Sequence, residues 1–149
     1  MAFAAWHVPV RLATGAFILD AGLKKRQADA ETAKQLHGFA STAYPQVGDL
    51  PPDRFAQLLS TGEIAVGTAL LAPIVPTAVA GAALTAFGGG LAGLYLKGPG
   101  LHEEGSLKPT QQGTAIAKDV WLLAIGAALL LDSIGGSGRR KRTARRAKA

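Results

Sequence analysis

Charged side chains are absent from Ile64 to Leu96, a run of thirty-three residues. As one straight helix that run would be about 50 Å long at about 1.5 Å per residue, against a bilayer core of about 30 Å. Pro73 and Pro76 interrupt it near its first third. Proline lacks a backbone donor and pushes the preceding residue out of helical conformation. The pattern therefore predicts two apolar helices joined by a tight turn at Ala72-Pro73-Ile74-Val75-Pro76. Four apolar segments emerge along the whole chain: Val8 to Leu23, Phe55 to Leu71, Pro76 to Leu96 and Ala117 to Ile134. Each is close to one bilayer crossing in length.

The connections are polar. Between the first two segments, Ala33, Leu36, Phe39, Ala40 and Ala43 recur at helical spacing and predict a short amphipathic helix over Glu31 to Ala43. Tyr44-Pro45 and Pro51-Pro52 end it. Between the third and fourth segments, Lys97-Gly98-Pro99-Gly100 is a helix stop and the stretch to Gln112 is rich in turn residues. The expected fold is all-α: an integral membrane four-helix bundle, residues 1–134, with a short amphipathic helix in its first loop. Residues 135–149 are expected to form an unstructured basic cytoplasmic tail.

Composition agrees with a membrane domain. Apolar residues are 48% of the 149, and 19 are glycine, as close helix packing in lipid requires. There is no cysteine, which removes disulfides, thiol catalysis and Cys-ligated metal. The net charge is +6, but seven of the sixteen basic residues fall between Arg139 and Lys148. A nucleic-acid-binding domain would carry that charge on its fold, so nucleic acid is not an expected partner. The N-terminus lacks a basic n-region, and Arg11 interrupts its apolar run, so the first segment reads as a retained helix rather than a cleaved signal. Four crossings and a basic C-terminus place both termini in the cytoplasm. The tail then serves as a topology signal in contact with anionic lipid.

The candidate chemistry lies in the charges within the apolar segments. A charge at bilayer depth costs at least about 2.5 kcal/mol on insertion scales, so each needs a partner or a task. Glu63 is the deepest, with Ser60, Thr61 and Thr68 near it. Arg11, Asp20, Lys118, Asp119 and Asp132 lie nearer segment ends. Depth matching predicts pairing of Lys118 with Glu63 or Asp20, and of Arg11 with Asp132. Such pairs either hold the bundle in register or line a polar pocket for a small molecule, a proton or a quinone headgroup. Gly89 and Gly93 form a G-x-x-x-G step, and Ala82 and Ala86 a similar small-residue step, both suited to close helix approach. Gly88, Gly90 and Gly93 also match G-x-G-x-x-G, but no strand precedes them and no phosphate reaches an uncharged membrane helix. His102-Glu103-Glu104 lacks a second ligand at helical spacing and reads as a solvated loop. His7 and His37 are isolated, while Trp6, Tyr44, Tyr95 and Trp121 fall at expected membrane interfaces. No catalytic triad or carboxylate pair can be assembled, so no catalysis by the chain alone is expected.

Three pieces of sequence together resemble the DoxX family of small bacterial membrane proteins. They are Arg11-Leu12-Ala13-Thr14-Gly15 leading to Gly22-Leu23-Lys24-Lys25, then Gly62-Glu63-Ile64-Ala65-Val66-Gly67, and Ala117-Lys118-Asp119-Val120-Trp121-Leu122-Leu123. Their order and spacing fit from about Val8 to Leu131. The first loop and the basic tail depart from the family pattern. The resemblance implies a four-helix bundle in a bacterial inner membrane, with Arg11, Glu63, Lys118 and Asp119 as its characteristic residues. It also implies a link to redox chemistry, as a non-catalytic membrane subunit or scaffold of a redox or respiratory complex. The alternative is a small transporter or quinone-binding protein with a polar pocket around Glu63. These differ in one structural expectation: a scaffold is packed solid, and a binder has a cavity containing Glu63. A third reading, an assembly or lipid-sensing protein, would rest on the basic tail.

Overall fold

The computed structural model describes residues 5–146, with side chains through 135. It is helical, with no strand among the described residues. The long elements are α1 (His7–Arg26), α2 (Ala30–Ala43), α3 (Pro52–Leu71), α4 (Thr77–Lys97) and α6 (Val120–Arg146); the four-residue α5 (Thr114–Ala117) directly precedes α6. A 3₁₀ turn, Pro45–Asp49, links α2 to α3. Asp29 caps α2 by accepting a 2.8 Å hydrogen bond from the Thr32 amide, and this bond to its charged form holds the carboxyl below the usual aspartate range.

Among the described residues, two stretches are long and apolar enough to cross a membrane: Thr77–Lys97, of 21 residues, and Thr114–Gly135, of 22. At about 1.5 Å per residue each has the length of a hydrocarbon core. The last helix runs on to Arg146, so backbone expected to be an unstructured tail from 135 is helical. The side chains of the basic cluster Arg139 to Lys148 lie outside the described residues.

The helices form two antiparallel pairs, α1 with α3 and α4 with α6. Buried positions on α1 run Arg11, Gly15, Ile18 and Gly22; on α3 they run Ala56, Ser60, Glu63, Gly67 and Leu70. Steps of three and four alternate, the 3.5-residue period of a left-handed helix seam. A Cβ on Gly15 would lie 2.9 Å from Leu70 Cβ, and one on Gly67 would lie 2.7 Å from the Leu19 amide nitrogen. The second pair repeats this with Gly81, Gly88 and Gly126; a Cβ on Gly88 would meet the Leu123 amide nitrogen at 2.5 Å. The close approach on α4 therefore uses Gly81 and Gly88, seven residues apart. The expected Gly89–Gly93 step does not make it: a Cβ on Gly89 would meet nothing within 4 Å, and Gly93 packs under the Tyr44 hydroxyl. An i, i+4 stripe drifts off a seam with a 3.5-residue period, whereas an i, i+7 pair stays on it. The core joining the pairs comprises Ile18, Leu70, Ala80, Leu84, Leu122 and Leu129.

Candidate functional site

The five site residues expected from sequence separate into three groups. Arg11 is buried at the end of α3, where all its donors are used. Its Nε donates to the Leu70 carbonyl at 2.8 Å; Nη2 donates to Ala69 and Ala72 at 2.9 and 3.0 Å; Nη1 donates to the Val75 carbonyl and Thr77 Oγ1 at 3.2 and 3.1 Å. The reason lies in the linker. In a continuing helix the carbonyls of Ala69 and Ala72 would be bonded by the amides four residues on, but those residues are Pro73 and Pro76 and have none. The guanidinium supplies the missing donors and places a cation at the negative end of α3. Arg11 is thus a clasp between α1, the α3–α4 turn and α4, and the expected Arg11–Asp132 pair does not form. Asp132 instead lies 2.9 Å from Nε2 of the buried His7.

Asp20 and Lys118 are exposed and outside the site. Asp20 pairs with Lys24 one turn along the same helix at 2.6 Å, so Lys118 pairs with neither Asp20 nor Glu63, contrary to expectation. The break between α5 and α6 falls at Lys118-Asp119, leaving Lys118 exposed and Asp119 half-buried.

Glu63 and Asp119 share one site. Glu63 is 5% exposed, and its two carboxylate oxygens accept from Lys25 Nζ at 2.9 and 3.0 Å. Beside it, Ser60 Oγ donates to the Gly22 carbonyl at 2.9 Å, whereas Thr61 and Thr68 face outward. Lys25, Glu63 and Asp119 line a cavity of about 510 Å³ between the two helix pairs, with α2 and the 3₁₀ turn along one side. The rest of its wall is apolar, supplied by Phe17 of α1, Phe39 of α2, Phe55 of α3 and Phe87 of α4, with Tyr44 beside them. The Tyr44 hydroxyl donates to the Gly90 carbonyl at 2.7 Å. The Asp119 carboxylate has no hydrogen bond or ion pair among the described residues, although it lies close enough to Glu63 and Lys25 to feel their charges.

Lys25 is the residue that depth matching missed. Continuing the α1 seam from Arg11, Gly15, Ile18 and Gly22 by three residues lands on Lys25, one turn beyond the glycine that packs on Glu63. Of the remaining motif residues, Tyr95 is buried and donates to the Leu107 carbonyl at 2.9 Å rather than sitting in an aromatic belt. His102 packs edge-on against it, and His37 lies against Phe55. No group of three or more His, Cys, Asp or Glu side chains among the described residues is placed to hold a metal ion. No protein-family model, curated protein or solved structure matches the chain.

Proposed function

We propose that the chain is a multi-pass membrane protein of four crossing helices that binds a small lipophilic molecule in the cavity at Glu63. The cavity carries this reading. At about 510 Å³ it falls within the range of small-molecule sites, apolar walls with a few convergent polar groups. A packed-solid scaffold would have no such space, so the binding alternative gains over a purely structural subunit. The four-crossing topology draws support from the outer faces of the two less apolar helices. Val8, Leu12 and Leu23 on α1 and Leu58 on α3 are all about half exposed or more, an arrangement suited to lipid. The buried charges of this pair are satisfied within the protein, by the linker carbonyls for Arg11 and by Lys25 for Glu63, which is how intramembrane charge is tolerated.

In this topology both termini are cytoplasmic in a bacterial inner membrane, and the cavity lies toward the outer leaflet beneath α2. The DoxX-like character, and with it a neighbouring redox complex as partner, rests on the order of Arg11, Glu63 and Lys118-Asp119. Topology is tested by single-cysteine labelling at Gly48, Gly105 and Gly138, free of background because the chain has no cysteine. The first two should react from outside in intact cells; outside labelling at Gly138 would refute the arrangement. The cavity is tested with a solvatochromic lipophilic dye on protein in nanodiscs. Saturable binding is expected for the wild type and its loss in Ala86→Phe, which adds bulk to the cavity wall. Equal binding by both proteins overturns the binding function.

A further inference from the structure

We infer that the ligand of this cavity is a lipophilic organic cation, an aryl or alkyl amine carried in its protonated form. The inference rests on the binding function proposed above and narrows it to one chemical class. Two independent features of the wall carry it.

The first is charge. The Lys, Arg, Asp and Glu side chains lining the cavity are Lys25, Glu63 and Asp119, so with all three ionised the site holds one net negative charge. Lys25 already uses two of its three N–H donors on Glu63. Asp119 supplies a carboxylate with no hydrogen-bond partner among the described residues. A bound ammonium would donate to it and leave the cavity neutral. A carboxylate or phosphate headgroup would face two acidic side chains across a largely apolar space, where like charges repel strongly. A quinone offers only acceptors to a site whose own free groups are mainly acceptors.

The second is aromatic convergence. Four of the five phenylalanines in the chain line this one cavity, and each comes from a different helix. Packing of the helix seams does not require that concentration, because no phenylalanine is among the buried positions of α1, α3 or α4. Aromatic faces carry negative potential and attract desolvated cations. They also accept the flat or chain-like body of an aryl or alkyl amine. The Tyr44 ring has Lys97 Nζ 5.2 Å from its centroid, and Lys97 itself does not line the cavity.

The test uses three probes with one body and different heads: phenylhexylamine, phenylhexanol and phenylhexanoate. Binding is measured on the purified full chain in nanodiscs of uncharged-on-balance lipid, with Ala86→Phe discs as the reference for partition into lipid. The amine should bind about tenfold tighter than the alcohol, the scale of one charge-assisted hydrogen bond, and the carboxylate weakest. Asp119→Asn should cost the amine about tenfold more than it costs the alcohol, so that the two bind alike. The ranking in the wild type stands without any variant, should Asp119→Asn fail to fold. Equal binding of amine and alcohol, or a lead for the carboxylate, overturns the cation assignment and leaves the cavity a binding site. If no probe distinguishes wild type from Ala86→Phe, the binding function falls with it.

Discussion

Gly15 and Gly22 flank the contact made by Gly67 in the first helix pair as Gly81 and Gly88 flank the contact made by Gly126 in the second. In each pair two glycines seven residues apart sit on the leading helix. The partner's glycine fits between them, against Leu19 in one case and Leu84-Thr85 in the other. Each pair also encloses a short helix in its connection, α2 in one and α5 in the other. The side chains along the seams differ completely. The α1–α3 seam carries Arg11, Ser60 and Glu63, with Lys25 at its end, whereas the α4–α6 seam is Ala, Leu and Gly with few hydroxyls. Among the described residues, only α4 and the stretch from Thr114 to Gly135 qualify as apolar spans on length and composition. The glycines set how closely two helices approach, and the remaining seam positions are free to be apolar or charged. The charged pair supplies Lys25 and Glu63 to the cavity, and the apolar pair supplies much of its apolar wall, with Asp119 reaching it from the break between α5 and α6.

Overpacking the apolar seam is the severest way to break this comparison. Gly88→Leu would drive a side chain into the Leu123 backbone, and backbone cannot move aside cheaply. The expected loss is about 3 kcal/mol or more, read as loss of the folded protein in thermal unfolding in detergent. Gly89→Ala, one position along and with nothing near its Cβ, should be neutral. Equal damage from both would remove the i, i+7 seam.

Arg11→Met tests the charged pair at its other end. Removing the guanidinium leaves the Ala69 carbonyl without a donor beside Pro73 and leaves Ala72 only its 3.2 Å bond from the Val75 amide, at an expected cost of about 3 kcal/mol. Arg11→Lys should recover only part of it, since an ammonium cannot match five donors in a planar fork. Full rescue by lysine in the same unfolding assay would show that charge alone matters there.

A smaller effect is expected at Glu63. Glu63→Ala strands the Lys25 ammonium, which is one-quarter exposed and so partly hydrated. The expected loss is about 2 kcal/mol, and Glu63→Gln should lose about half as much because the amide still accepts from Lys25. If Glu63→Gln abolishes dye or probe binding while stability is untouched, the pair acts in binding rather than in holding the helices.

The mildest prediction concerns α2, the helix beside the cavity. The Asp29 cap lowers that carboxyl in the folded state. Its contribution is therefore present above the unfolded aspartate value of about 3.9 and is lost as pH falls through the folded value. Amide protection in the first turn of α2 should decline through that acid window in the wild type and stay level in Asp29→Asn, which caps at every pH. A decline in both would mean that α2 loosens for another reason.

Much of the architecture was legible because it is written in local rules. An uncharged run too long for one crossing, broken by two prolines, requires a hairpin. Apolar residues at helical spacing between Glu31 and Ala43 call for an amphipathic helix. That Glu63 is buried with a partner also followed from sequence alone, since a carboxylate amid apolar residues must be satisfied. Depth along the helices was not enough to name that partner. It placed Lys118 and Asp20 at plausible levels, but which side of a helix a residue occupies depends on the crossing period. The 3.5-residue seam turns Lys25 toward Glu63 and leaves Asp20 outside. The same period selected Gly81 and Gly88 over Gly89 and Gly93. Arg11 went to backbone carbonyls rather than to Asp132 because the prolines that made the turn readable also left acceptors bare, a consequence visible only once α1 lies against that turn. Local sequence determined where this protein is helical, where it turns and which charges need satisfying. Only the tertiary structure decided how those charges are satisfied and that four phenylalanines from four helices meet around one space, because rotation about a helix axis is set by packing between helices rather than within them.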